Sequence, residues 1–439
     1  MTSRALLIPR WDARDPSFEA SFGTLERRRL IEKSRIESAV SEIVAAVERG
    51  GDRALLDAIQ RYDGYRLEAS QLWVAPADIE PSGKLDEEGR TALAAAAERI
   101  RSFHAERVPQ SWTVERGGDR LGQLVHPLER VGLYVPAGSA PLASTVLMLG
   151  MPASVAGVAE IAIASPGLRP HPAVLEAARL AGAGRVLRAG GAHAVAALAF
   201  GTESVPRVDK IVGPGNAWVQ TAKRLVFGQV GIDSEAGASE VLIVADATPD
   251  PAWVAADLIA QAEHDPSSSA VLVSTSAELL DATALAVGQQ LSDLPRAEIA
   301  RRALAEKSAL ILARDLEQAF GLANRFAAEH LQVLVAEPER WLPHISHAGA
   351  VFLGDYTPVP VGDYVAGPSH VLPTGGTARF FSVLGVEDFQ KRASLVQLSR
   401  DGLRRIGPHG VRLAELEGLE GHARALRLRL YADRGQGSQ

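Results

Sequence analysis

From Arg130 onward the chain alternates short β-branched runs with alanine-rich stretches of helical spacing. Val131–Val135, Ile161–Ala164, Arg185–Arg188 and Lys210–Val212 read as strands, because short apolar runs bounded by turn residues suit buried strands. Ser144–Gly157, Pro172–Ala181, Ala192–Phe200 and Asn216–Phe227 read as the helices between and after them. This repetition predicts a parallel sheet covered on both faces. A second series follows, with strands at Glu240–Ala245, Ala270–Ser274, Ala309–Ala313, Leu331–Ala336 and Ala350–Leu353. Its helices are expected at Pro251–His264, Ala277–Leu291 and Leu316–Phe326, the first of them opened by Asp250 and Pro251. Ahead of both series, Lys33–Tyr62 and Arg90–Glu106 predict helices, and the charged Thr24–Arg29 belongs on a surface. The tail from about Asp388 is expected to be helical, ending in a basic segment, Arg424–Arg429, and a frayed polar end.

A length of 439 residues favours two or three domains. With 46% hydrophobic and 23% charged residues, disorder and coiled coil are poor readings. A net charge of −7 gives no electrostatic footprint for nucleic acid or an anionic membrane. The absence of cysteine removes disulfides, thiolate nucleophiles and sulfur-ligated metals, so a metal could sit only among His, Asp, Glu, Asn or Gln. Val131–Ala159 has no charge, but Pro136, Pro141, Pro152 and several Gly and Ser break it up, which fits strand, turn and helix rather than a membrane span. The apolar stretch at the N-terminus is too short for a signal peptide, so a cytoplasmic location is expected.

Candidate chemistry gathers where helices feed strands. Gln261 and His264 stand three apart at the end of one predicted helix, and Glu329–His330 lie at the start of a predicted strand. Both pairs are therefore expected at the same edge of one sheet. Asp363 and His370 lie in Gly/Pro-bounded loops, and Glu417 and His422 bracket a helical or turn segment. Imidazole, carboxylate and amide oxygen together make a plausible zinc site without cysteine. His344 and His347, beside Pro343, have nothing near them to complete a site and read as surface residues. No G-x-G-x-x-G follows any predicted strand. Gly190–Gly191 and Gly213–Pro214–Gly215–Asn216 nevertheless open helices, where backbone N–H groups can approach a phosphate; such turns also serve packing alone.

The block Ile232–Asp233, Ala236–Gly237, Ser239 to Asp246 and Gln261–Ala262–Glu263–His264 resembles the signature of the zinc-dependent histidinol dehydrogenase family. The resemblance extends through Arg130–Pro136, Ala197–Ser204, Gly213–Asn216, Glu329–Leu331, Phe352–Asp355, Gly362–Tyr364, His370–Thr374, Asp388–Arg392 and Glu417–His422. It implies NAD-dependent, four-electron oxidation of L-histidinol to L-histidine through the aldehyde, the last step of histidine biosynthesis. A related zinc- and NAD-dependent dehydrogenase of another small polar alcohol is the alternative.

By the same resemblance Gln261, His264, Asp363 and His422 are the expected zinc ligands, one ion per subunit, and Glu329 and His330 the acid–base pair. Ser239, His370 and Glu417 match substrate-contacting positions, joined by the ligands and His330. Tyr134, His193 and Asn216 match NAD-contacting ones. The implied architecture is two Rossmann-like α/β domains, 131–238 (NAD-binding) and 27–130 with 239–385. The segment 1–26 precedes them, and a helical segment 386–439 is exchanged in a homodimer with shared active sites. The sequence departs from the family pattern at His193 (usually Gln), Ser234, Glu235, Ala238 (usually Pro), Ala137 and Ser369 (usually Asn).

Overall fold

The computed structural model describes residues 8–27, 36–79, 85–137, 141–234 and 237–431. Its strands are β1 (Arg10–Asp12), β2 (Trp112–Arg116), β3 (Asp119–Pro127), β4 (Arg130–Tyr134), β5 (Glu160–Ala164), β6 (Arg185–Leu187) and β7 (Lys210–Val212). They continue as β8 (Gly231–Ile232), β9 (Glu240–Ala245), β10 (Ser269–Ser274), β11 (Ala309–Leu312), β12 (His330–Leu334), β13 (Ala350–Leu353) and β14 (Gln390–Gln397). Every strand predicted from the β-branched runs is present, within two residues of its expected bounds.

Five strands form one parallel sheet in the order β6-β5-β4-β7-β8. Six form a second in the order β1-β11-β10-β9-β12-β13, again parallel throughout. In each, the order reverses beside the first strand of the series, β4 or β9, which is the doubly wound arrangement. β9 and β10 are buried along their whole length, as expected of central parallel strands with helices on both faces. The helix Pro251–Ala262 covers β9, opened by the Asp250 side chain accepting from the Ala252 N–H and by proline at its first position.

The chain forms two units, Met1–Arg107 with Leu128–Phe389 and Val108–Pro127 with Gln390–Gln439. Both parallel sheets lie in the first. The helices Glu37–Ala58 and Glu87–Ala105 pack on helices of the five-stranded sheet. The second unit holds a three-stranded antiparallel sheet, β14-β3-β2, and the helices Arg400–Leu416 and Glu420–Leu430. Here the expectation of a purely helical tail is corrected, because β14 pairs along its full length with β3. The helix Ala297–Glu306 was also not expected. Thr24–Arg29 is described only to Arg27, and the polar end beyond Tyr431 lies outside the described residues. Among the described residues no helix is long and apolar enough to cross a membrane.

Candidate active site

The helix Leu316–Phe326 stops at Ala327, the one described non-glycine residue with left-handed backbone (φ 51°). Two residues later Glu329 enters the sheet and His330 opens β12, opposite Val241 of β9. The pair therefore lies at the amino edge of the six-stranded sheet, 6% and 4% exposed. Glu240, first residue of β9, holds both members through its main chain. Its N–H donates to Glu329 Oε2 at 2.8 Å, and its carbonyl lies 3.0 Å from His330 Nδ1. A carbonyl can only accept, so Nδ1 carries the proton and Nε2 presents its lone pair when the ring is neutral. That Nε2 is buried without a hydrogen-bond partner, 3.7 Å from Asp363 Oδ1.

Burial pushes the Glu329 carboxyl up to about 7. Burial alone would depress the His330 imidazole, but the charges of Glu329 and then Asp363 outweigh it and lift the group to about 9. Burial works against the Asp363 carboxylate, yet the His330 cation 3.7 Å away holds it below the usual range. Burial pushes His370 down. Its Nδ1 lies 2.9 Å from the Asp363 carbonyl and its Nε2 3.3 Å from Thr145 Oγ1. A buried carboxyl near neutrality beside an imidazole that gains a proton readily is an arrangement for moving protons.

Asp363 sits in a short helix, Val359–Tyr364, rather than in the expected open loop, while His370 stands in irregular backbone as expected. Gln261 is 3% exposed on the last turn of its helix, and its amide nitrogen has no hydrogen-bond partner. The helix ends at Ala262, two residues short of the prediction, so His264 lies beyond it and is exposed. His264 still lies near Asp363 and His370. Ser239 is half-buried beside Glu240, and its main-chain carbonyl accepts from the Ser269 N–H at 3.1 Å. Glu417 and His422 belong to the other unit, exposed, the first capping one helix and the second in the first turn of the next. His344 is exposed and His347 half-buried, as expected of surface residues. Among the described residues no three of His, Asp and Glu already converge as a metal cluster. The sequence marks Glu240 only as the start of a strand and part of the family signature; the signal of its role is a charged residue opening an otherwise apolar strand.

Tyr134, His193 and Asn216 lie at the carboxyl edge of the five-stranded sheet, whose order reverses between β4 and β7. The Tyr134 hydroxyl accepts from the Gly191 N–H at 2.9 Å, and burial pushes the phenol up to about 12. Asn216 caps the helix Ala217–Val226, accepting from the Trp218 and Val219 N–H groups. His193 is buried, its Nε2 3.0 Å from Asp63 Oδ2 and its ring stacked on Tyr62. Asp63 also accepts from the Gly190 N–H, and Asp233 from the Gly213 N–H. The N–H groups of Gly190, Gly191 and Gly213 thus all have partners within the chain, which leaves none of the three free to cradle a phosphate. Gly138, Glu235 and Ala236 of the signature lie outside the described residues.

Two doubly wound parallel sheets and a buried carboxyl–imidazole pair are the parts of an α/β oxidoreductase. A family described as histidinol dehydrogenase matches residues 26–430. A histidinol dehydrogenase of Syntrophotalea carbinolica is 50% identical over 95% of this chain and 97% of its own length. One from Thermus thermophilus is 51% identical over 92% and 97%. The solved structure of histidinol dehydrogenase from Elizabethkingia anophelis is 34% identical and superposes with a TM-score of 0.91 over 97% of this chain and 98% of that one. The chain belongs to the histidinol dehydrogenase family.

Proposed function

We propose that this protein oxidises L-histidinol to L-histidine in two NAD-dependent steps through the aldehyde, with one zinc ion per subunit, and that it works in the cytoplasm as the last step of histidine biosynthesis. The observation that carries the reading is the buried Glu329–His330 pair held by the Glu240 peptide. His330 Nε2 takes the hydroxyl proton of the alcohol, and again that of the hydrated aldehyde, which raises the electron density that expels each hydride. Glu329, with its raised proton affinity, takes a proton from the water that adds to the aldehyde. His370 and Ser239 orient the substrate from the loop and from the start of β9.

The donor set suits zinc. Gln261 offers the carbonyl oxygen of a buried amide, Asp363 a carboxylate held ionised, and His264 an exposed imidazole, with His422 as the fourth ligand. Bound zinc would hold the substrate's imidazole and amine, and NAD would accept the two hydrides. For the dinucleotide, the residues that fit are Tyr134, His193 and Asn216 around the crevice between β4 and β7, the usual ligand position of such a sheet. The ligand set is completed by a homodimer in which the 386–439 segment, with Glu417 and His422, serves the partner's site. Steady-state assay with L-histidinol tests the reading: two NADH per histidine support it, whereas one NADH with accumulating aldehyde overturns it.

A further inference from the structure

Lys223, on the helix Ala217–Val226, is fully buried, and nothing in the proton chemistry uses it. Its ammonium donates to the Gly213 carbonyl at 2.9 Å and pairs with Asp233 Oδ1. The other Asp233 oxygen accepts from the N–H of the same glycine at 2.7 Å. One ion pair therefore grips both polar groups of a single residue. Gly213 follows β7 directly and has a φ of 124°, a conformation that L side chains rarely adopt. A β-carbon there would collide with the Tyr134 carbonyl oxygen, so the turn is pressed against the end of β4. Three residues on, Asn216 caps the helix on which Lys223 rides.

Taking both charges out of water is costly, and a well-packed apolar pair at such a position is often as stable. Stability alone is thus a weak reason for this pair, while a fixed turn at the order reversal of the sheet is a strong one. We propose that the Lys223–Asp233 ion pair is a positioning device that locks the Gly213 turn against the strand carrying Tyr134, and so sets the dinucleotide affinity of this crevice. The inference rests on the NAD reading above. Because the Gly213 N–H is already bound to a carboxylate, the turn acts as a rigid wall that places Tyr134 and Asn216, rather than as an anion cradle.

NADH binding, read by its fluorescence without substrate, tests this independently of turnover. The variants are Asp233→Asn and the double variant Lys223→Met with Asp233→Asn. The double variant leaves no lone buried charge and keeps an acceptor for the Gly213 N–H, so it should fold with a near-native melting curve. Its NADH dissociation constant should rise about tenfold through loss of the charge-assisted bond to the Gly213 carbonyl, while L-histidinol binding measured by calorimetry stays within about twofold. Unchanged NADH affinity in the folded double variant overturns the positioning role. Equal weakening for both ligands also overturns it, since that marks a general structural defect. Failure of the wild-type protein to bind NADH at all sinks the NAD reading instead.

Discussion

The main-chain carbonyl of Glu240 holds the His330 ring by its Nδ1 at 3.0 Å, so the nitrogen facing Asp363 is the basic one. Protonation of that nitrogen stores the pair as an ion pair, and catalysis needs it empty. With His330 lifted to about 9, the neutral ring is the minor form at pH 7 and grows about tenfold per unit up to that point. The value of kcat/KM for L-histidinol should therefore climb through neutral pH and level off near 9. A plateau already reached at pH 7 would contradict the assignment. His330→Ala should lower kcat by roughly 10²–10⁴ at every pH, as removal of a general base does.

Glu329→Gln separates the two oxidations. The amide still accepts the Glu240 N–H, so the His330 geometry is kept, but it cannot take a proton from water. NADH per histidinol should fall from two towards one, with aldehyde detectable by a carbonyl trap such as semicarbazide. A variant that still produces two NADH at wild-type speed removes Glu329 from the second step.

Asp363→Asn removes the only carboxylate among the four expected zinc ligands and also the anion 3.7 Å from His330. Metal retained after dialysis, counted by elemental analysis, should fall at least about tenfold, in line with losses seen when ligands or their supports are changed. Added zinc should restore part of the activity. Wild-type retention, or full turnover by metal-free protein, would remove Asp363 from the ligand set.

Shared sites can be tested by mixing two inactive chains, one His330→Ala and one His422→Ala. Random reassortment makes about half the dimers mixed, each with one site free of lesions, so about a quarter of wild-type activity should return. No recovery, with mixed dimers verified by mass, places His330 and His422 of each site on one chain.

Much of the fold is legible because parallel strands buried on both faces must be apolar, as in Val-Leu-Ile-Val-Ala at 241–245. The antiparallel sheet was illegible for the opposite reason. Trp112–Arg116 is exposed at all five positions and β14 at most of its positions, so neither carries a hydrophobic period. Residues 329–330 stood out as an acid beside an imidazole ahead of a strand. Asp63 and Asp233 did not, since a carboxylate that binds turn N–H groups leaves no pattern in the flanking sequence. The Gly190 and Gly213 turns consequently read as open to a phosphate when their N–H groups are already taken.

Holding a catalytic pair by a peptide group also conceals it from mutational scanning. Both bonds from Glu240 to Glu329 and His330 come from main-chain atoms that every amino acid but proline possesses. A tolerant profile at position 240 would report only on its carboxylate, which meets the Gly375 N–H at 3.0 Å. Proline alone deletes the N–H. The orientation of this acid–base pair thus depends on the course of the backbone at position 240 and not on the side chain it carries.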